Sequence, residues 1–297
     1  MLSKILPALV LAAACAAPQH ALAKDEAPLE LEPSSRWIMD YAEDSCALRR
    51  TFGEPENQVW LELRQFAPGF GLQTTVASAS LDTVKRDWPR VRFEPADEDY
   101  TARGAIYGQF GEDLDGVIFT GTLRYTDADF PEHMEEAPRW DESERDLREA
   151  SITAFRIARA FERDLVLATG SLDKPMQAMR TCLDELLTHW GIDVEAHHTL
   201  SREVIPRRRA WLIKRVQERY PDDMLSEGRS GIVRVRLMVD EEGQPSECVL
   251  QAPTQDESFR RHTCDTLMRY ARFDPALTAE GHPIASYWAV GVTYKIY

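Results

Sequence analysis

The stretch SYWAVGVTYKIY at residues 286–297 alternates between two kinds of residue with a period of two. One set of positions is apolar: Trp288, Val290, Val292, Tyr294 and Ile296. The other set is mixed: Tyr287, Ala289, Gly291, Thr293, Lys295 and Tyr297. This period predicts a β-strand that buries its apolar face. We expect it to be the terminal strand of a sheet, with unpaired backbone groups along its free edge.

The sequence before this strand predicts a small α+β domain over residues 210–297. Gly231 opens a second alternating run that ends at Val239, and Asp240-Glu241-Glu242-Gly243 is typical of a hairpin turn. A further strand is expected around Val249 and Leu250, and helices over residues 211–219 and 257–272. The predicted order is therefore helix, strand, strand, helix, strand.

An ordered set of short motifs in this region resembles a known family. The set consists of Tyr220-Pro221, Gly231, Val239-Asp240 with Gly243, Arg272-Phe273 with Pro275-Ala276, Gly281 with Pro283, and the closing strand. Over residues 205–297 it is similar to the C-terminal domain of TonB, the energy transducer of the bacterial envelope. The resemblance implies two helices on one face of a three-stranded antiparallel sheet.

The resemblance also implies a binding mode. Proteins of that family bind the TonB box, a short extended peptide of an outer-membrane receptor, by adding it as a strand beside their last strand, a mode known as β-augmentation. Gln217 lies three residues before Tyr220, where the family uses a glutamine. The implied partner-binding residues are Gln217, Tyr287, Ala289, Gly291, Thr293, Lys295 and Tyr297. Homodimerisation through the same edge is an open alternative.

Residues 1–23 have the pattern of a secretion signal. Lys4 supplies the positive charge, residues 5–14 are an apolar run interrupted by Pro7, and Ala21-Leu22-Ala23 is a cleavage motif. We therefore expect a periplasmic protein that begins at Lys24. In the alternatives, an uncleaved segment anchors an energy transducer in the inner membrane, or Cys15 carries a lipid.

Charge is distributed unevenly along the chain. The 297 residues carry 35 Lys or Arg and 50 Asp or Glu, a net charge of -15, which argues against a nucleic-acid partner. Residues 201–297 hold 15 bases and 14 acids, whereas residues 24–200 hold 19 bases and 36 acids. The change coincides with Pro206 and Arg207-Arg208-Arg209, so a linker is expected over residues 201–209.

The acidic region, residues 24–200, is predicted to be an α+β domain rich in antiparallel strands. Residues 59–64 and 117–124 alternate like strands, whereas residues 151–169 are ambiguous. The acidic residues 127–144 are expected to form a loop. An apolar stripe from Met176 to Trp190 predicts one long helix, with Ser171 or Asp173 as its cap.

Four cysteines remain after residue 23, an even number that suggests two disulfides in an oxidising compartment. Four cysteines allow three pairings. We expect Cys248–Cys264, which are 16 residues apart in the small domain, and Cys46–Cys182 in the acidic domain.

Catalysis and metal binding are the remaining possibilities. Ser171 and Lys174 form an S-x-x-K motif like that of serine acyl-enzymes. Those enzymes also need an S/Y-x-N element after this motif, and Asn57, the only Asn, lies far upstream of it. His189, His197 and His198 could form an adventitious metal site, but they have no Cys or acidic residue at ligand spacing. The sequence therefore predicts a non-catalytic module that binds a protein of the cell envelope, without a cofactor or metal.

Overall fold

A computed structural model describes residues 27–69, 71–84, 88–96, 98–111, 113–121, 123, 142–218, 226, 231–251 and 257–294. These residues form helices and mostly antiparallel sheets, which confirms the predicted α+β class. Their buried apolar side chains form two separate cores. One core runs from Leu31 to Leu186 and the other from Leu200 to Tyr294. We call the described residues 27–199 the N-terminal unit and the described residues 200–294 the C-terminal unit.

The N-terminal unit contains a six-stranded antiparallel sheet. In spatial order its strands are β2 (Ile38–Ala42), β3 (Ser45–Phe52), β4 (Val59–Gln65), β5 (Leu72–Ser78), β9 (Leu114–Gly121) and β8 (Ile106–Phe110). The two runs predicted as strands are β4 and β9, so both predictions are confirmed. The predicted second run extends past β9, because Leu123 is not part of a strand, and residues 122 and 124 lie outside the described residues. The alternation of β4 explains its place, because Val59, Leu61 and Leu63 are fully buried.

A second sheet in the N-terminal unit has five strands. Their spatial order is β1 (Leu29–Leu31), β11 (Leu165–Leu167), β10 (Ala154–Ala158), β6 (Arg90–Glu94) and β7 (Tyr100–Thr101), and only the pair β1–β11 is parallel. The ambiguous residues 151–169 thus supply two short strands. Buried side chains of both sheets belong to the same hydrophobic core.

Three helices complete the N-terminal unit. They are α1 (Glu142–Ser151), α2 (Asp173–His189) and α3 (Val194–His198). The predicted long helix is α2, and its apolar stripe is buried: Met176, Met179, Cys182, Leu183, Leu186 and Leu187. The loop predicted over residues 127–144 is wrong at its end, because Glu142 to Glu144 begin α1. Residues 127–141 lie outside the described residues.

The C-terminal unit contains a three-stranded antiparallel sheet and two helices. The spatial order of its strands is β14 (Pro245–Leu250), β13 (Gly231–Val239) and β18 (Ser286–Tyr294). The helices are α4 (Arg209–Gln217) and α5 (Glu257–Tyr270). The shorter strands form two pairs, β12 (Ile205–Pro206) with β15 (Phe273–Asp274) and β16 (Ala276–Leu277) with β17 (Pro283–Ile284).

The predicted linker, residues 201–209, is built into the C-terminal unit. Ile205 and Pro206 pair with β15, and the backbone N–H of Ser201 donates to the carbonyl of Leu277. Leu200 and Val204 are buried in the second core. This segment therefore packs against the unit that follows it, because its apolar residues outweigh the solvating effect of the neighbouring arginines.

The structure contains both expected disulfides. Cys46–Cys182 joins β3 to α2, and Cys248–Cys264 joins β14 to α5. Each bond therefore ties a strand to the helix that packs beside it. Across the residues that the structure describes, no helix is both long enough and apolar enough to span a membrane.

Candidate functional site: the outer edge of strand β18

The direction of the backbone groups in β18 follows from one hydrogen bond on the far side of the sheet. The N–H of Gln251 donates to the carbonyl of Arg234, so the peptide groups of even-numbered β13 residues face β14. Arg234 lies directly opposite Gly291 in the register of β13 and β18. Directly opposed residues in an antiparallel pair point their peptide groups either both toward each other or both away from each other. Since the peptide groups of Arg234 point away from β18, those of Gly291 point away from β13. The same holds for the alternate residues of the strand, Tyr287, Ala289 and Thr293.

These outward peptide groups form the outer edge of the sheet. In the strand order β14-β13-β18, β18 is the last member, and no described strand pairs with its outer side. A strand in this position presents a row of N–H donors and C=O acceptors to any extended chain that comes alongside. Helix α4 packs close to β18 and so borders this edge on one face of the sheet.

The apolar side chains of β18 belong to the core of the C-terminal unit. Trp288, Val290, Val292 and Tyr294 are buried there with residues of α4 and α5. The Tyr294 hydroxyl also shares a hydrogen bond of 2.8 Å with Thr263 Oγ1 on α5. The predicted burial of this face is therefore confirmed for these four residues, and Ile296 lies outside the described residues.

The opposite face of the sheet packs on the N-terminal unit through Arg234. The exposed fraction of Arg234 is only 4%. Its guanidinium donates to Gln73 Oε1 at 3.2 Å and to Thr120 Oγ1 at 2.6 Å, and its Cζ lies 5.2 Å from the centre of the Phe66 ring. Burial lowers the pKa of Arg234 to about 10. A charged side chain of the C-terminal unit is thus enclosed by polar and aromatic groups of the N-terminal unit.

A second arginine of β13, Arg236, also contacts polar and aromatic groups of the N-terminal unit. Arg236 Nη2 lies 3.3 Å from Asp44 Oδ1, and the Arg236 Cζ lies 4.1 Å from the centre of the Trp190 ring. Beside it, Gln251 Nε2 donates to the carbonyl of Phe66 at 2.6 Å. Burial raises the pKa of Asp44, and the positive charge of Arg236 opposes this shift without cancelling it. These contacts hold the hairpin turn after β2 against the sheet of the C-terminal unit.

Small residues in β18 make room for these arginines. A Cβ atom on Gly291 would overlap the guanidinium of Arg234, which crosses the strand there. Ala289 lies opposite Arg236 in the register. The glycine at position 291 is therefore explained by a contact within the chain.

Tyr287, one of the predicted partner-binding residues, is half-buried against the N-terminal unit. Its hydroxyl donates to the Pro68 carbonyl at 3.2 Å, and its ring lies 5.4 Å from that of Trp190 and 5.5 Å from that of His197. Burial and the nearby carboxylate of Glu203 raise the pKa of Tyr287. Sequence reasoning missed this because the residues that enclose Tyr287 lie some 90 to 220 positions earlier in the chain.

The other predicted partner-binding residues are placed only in part. Gln217 is the last residue of α4, on the helix that borders the edge, and is exposed. Thr293 is placed by its backbone pairing opposite Ile232. Lys295, Tyr297 and the Tyr220-Pro221 motif lie outside the described residues. The partner-binding role of the whole set remains a prediction.

The two other candidate sites have structural contacts of their own. Ser171 and Lys174 are exposed, and Ser171 Oγ accepts a hydrogen bond from the N–H of Asp173 at the start of α2. His198 Nε2 lies 3.0 Å from Asp184 Oδ1, whereas His197 packs on Tyr287. Among the residues that the structure describes, no group of three or more His, Cys, Asp or Glu could hold a metal ion.

The C-terminal unit is thus a three-stranded sheet with two helices packed on one face and with no described strand beyond its last strand. Residues 216–296 match the family model described as Gram-negative bacterial TonB protein C-terminal, a non-catalytic family. This match confirms the expected resemblance over residues 216–296, and domains of that family interact with proteins of the cell envelope. Comparisons with curated proteins and with solved structures gave no match.

Proposed function

We propose that this protein binds an extended segment of another envelope protein by strand addition at the outer edge of β18. The observation that supports the proposal is the row of outward peptide groups at Tyr287, Ala289, Gly291 and Thr293, beside which no described strand pairs. Backbone pairing supplies affinity in this mode, and alternate side chains of the bound segment supply selectivity. The protein acts in the periplasm, without catalysis.

Selectivity has two sources in this arrangement. A strand added to β18 continues the sheet, so its alternate side chains face the same two sides as those of β18. On one side lies α4, which ends at Gln217. On the other side lies the N-terminal unit, which already covers Tyr287 through Trp190 and His197. The acidic region thus contributes part of the surface that contacts the side chains of a bound segment.

The decisive variant is Thr293→Pro. The N–H of Thr293 faces outward, so proline removes a donor for the visiting strand while the ladder between β18 and β13 keeps all its bonds. Two probes are used with the full chain: a labelled synthetic peptide carrying the TonB box of an outer-membrane receptor, and peptides selected by display from envelope proteins. We expect Thr293→Pro to weaken binding about tenfold or more, as measured by fluorescence anisotropy.

Thr293→Val is the matched control, because it keeps the backbone N–H and changes only the side chain. We expect it to bind within about twofold of the parent chain. Thermal unfolding of both variants checks that the sheet is intact. Selected peptides that bind a folded Thr293→Pro chain as tightly as the parent would contradict strand addition at this edge.

A further inference from the structure

A group of stacked cationic and aromatic side chains lies on the helical face of the C-terminal unit, the side of the sheet opposite the N-terminal unit. It consists of Arg208, Trp211 and Arg215 from the region of α4, and Arg269 and Tyr270 from α5; we call it the Arg–aromatic cluster. The Arg208 Cζ lies 4.8 Å from the centre of the Trp211 ring. The Cζ atoms of Arg215 and Arg269 lie 5.2 and 5.4 Å from the centre of the Tyr270 ring.

The two aromatic rings connect the two helices. Trp211 and Tyr270 meet edge to face, with their centres 6.2 Å apart. Helix α4 buries Leu212 and Val216 and leaves Trp211 40% exposed. Arg208 has φ of 56°, a left-handed conformation that is unfavourable for a residue with a Cβ atom. Arg208 thus stacks on Trp211 while its backbone has a conformation that most residues avoid.

The surroundings of this cluster are positively charged although the whole chain carries -15. Arg207, Arg209 and Lys214 are exposed on or just before the same helix, and Arg272 is exposed just after α5. Acids partly balance them: Asp274 Oδ1 lies 2.7 Å from Arg207 Nη2, and Glu218 Oε1 lies 3.7 Å from Lys214 Nζ. Helix α5 also carries the exposed Asp265, four residues before Arg269. Most acidic residues belong to residues 24–200.

We infer that the Arg–aromatic cluster docks the protein on a membrane surface rich in anionic phospholipids. Arginine side chains pair with the phosphates of the headgroups, and basic residues are attracted to a negatively charged lipid surface. The exposed Trp211 and the half-buried Tyr270 suit the boundary between headgroups and acyl chains, because Trp and Tyr rings are apolar and carry a polar tip. An acidic peptide would satisfy the arginines but offers no apolar layer for Trp211. The inference is independent of the proposed strand addition.

Vesicle flotation of the full chain tests this inference. The probes are vesicles of phosphatidylcholine alone and of phosphatidylcholine with about 30% phosphatidylglycerol. We expect binding only to the second, weaker at 150 mM than at 50 mM salt, because ions screen the attraction. Removing each of Arg208, Arg215 and Arg269 should weaken binding about fivefold. The variants are Arg208→Asn, because Asn tolerates the left-handed conformation, Arg215→Gln and Arg269→Gln.

Matched controls lie in the N-terminal unit. Trp60 is 44% exposed, close to the value for Trp211, so Trp60→Ala should leave flotation unchanged while Trp211→Ala weakens it. Arg103→Gln is the control for the charge substitutions, because Arg103 is exposed in a turn between β7 and β8. Circular dichroism checks that each variant is folded.

Three outcomes would overturn the inference. One is equal flotation with both kinds of vesicle. Another is that folded Trp211→Ala and arginine variants bind the anionic vesicles as the parent does. The last is that soluble poly-glutamate, DNA or millimolar inorganic phosphate binds the cluster while the vesicles do not, which would assign the cluster to a soluble anion.

Discussion

At the scale of single residues, Gly291 connects the edge strand to the contact between the two units. The guanidinium of Arg234 crosses the strand at this residue and reaches Gln73 and Thr120 in the N-terminal unit. The residue type is therefore dictated by a long side chain from the neighbouring strand. A larger side chain here would displace that guanidinium and disrupt its hydrogen bonds.

Gly291→Ala is expected to lower the free energy of unfolding by about 1–3 kcal/mol, the usual effect of added volume at a filled position. Urea denaturation of the full chain measures the change. Gly108→Ala is the control, because a Cβ atom at Gly108 meets no atom within 4 Å. In a background with Arg234→Leu, Gly291→Ala should cost nothing further. An undiminished cost in that background would mean that the strain lies elsewhere.

At the scale of secondary-structure elements, the two disulfides each tie one strand to one helix, but they close loops of very different length. Cys248–Cys264 spans 16 residues and Cys46–Cys182 spans 136 residues. In the chain-entropy model a longer loop restricts the unfolded chain more. The two bonds should therefore contribute unequally to stability.

Replacing Cys248 and Cys264 together by Ala is expected to cost about 3 kcal/mol, and replacing Cys46 and Cys182 together about 5 kcal/mol. The free energies of unfolding of the two double variants, measured in guanidinium without reductant, give the comparison. The order of the two costs is the test. A larger loss from the Cys248 and Cys264 pair would show that native-state packing outweighs loop length here.

Elements with a clear period could be predicted from the sequence, and those held by distant contacts could not. Helix α2 and strands β4, β9, β13 and β18 follow from apolar periodicity. The start of helix α1, Glu142 to Glu144, falls in the predicted acidic loop because most residues of this helix are polar. The helix is attached to α2 through Glu149, which is 1% exposed and accepts two hydrogen bonds from Arg180 Nη1, 31 residues later.

At the scale of the whole molecule, the contact between the units contains an ionisable pair, Asp44 and Arg236. Burial raises the pKa of Asp44 above its usual value even beside the arginine. A carboxyl group whose pKa is higher in the folded state binds a proton more tightly there than in the unfolded chain. Its contribution to stability is therefore greatest below the unfolded pKa and is lost as the pH rises through the folded pKa.

Asp44→Asn tests this sign. We expect the free energy of unfolding of the parent chain to fall relative to that of Asp44→Asn as the pH rises from 3.8, the usual pKa of an Asp side chain, through the raised pKa, and then to level off. Urea denaturation at several pH values between about 3.5 and 7 measures it. A difference that instead shifts in favour of the parent would mean that attraction to Arg236 exceeds the cost of burial.

The arrangement of the two units was the part of the fold that the sequence did not reveal. Arg234 and Arg236 alternate with valines in β13, a pattern typical of a strand with one solvent-exposed face. Their partners Gln73 and Asp44 lie 161 and 192 positions away, and no local pattern signals such pairs. That the units are separate domains divided at residues 201–209 stays a prediction.

The alternation in β18 also separates the evolutionary constraint on its side chains from the constraint on its backbone. The side chain of Tyr287 contacts the N-terminal unit and the Arg234 guanidinium fills the space beside Gly291, whereas the outward peptide groups of the strand have the same chemistry for every residue except proline. Substitutions that improve the fit between the units could thus accumulate without erasing the docking edge. Under the proposed function, a change of partner would arise mainly through mutations in the visiting peptide or in the surfaces that flank the strand.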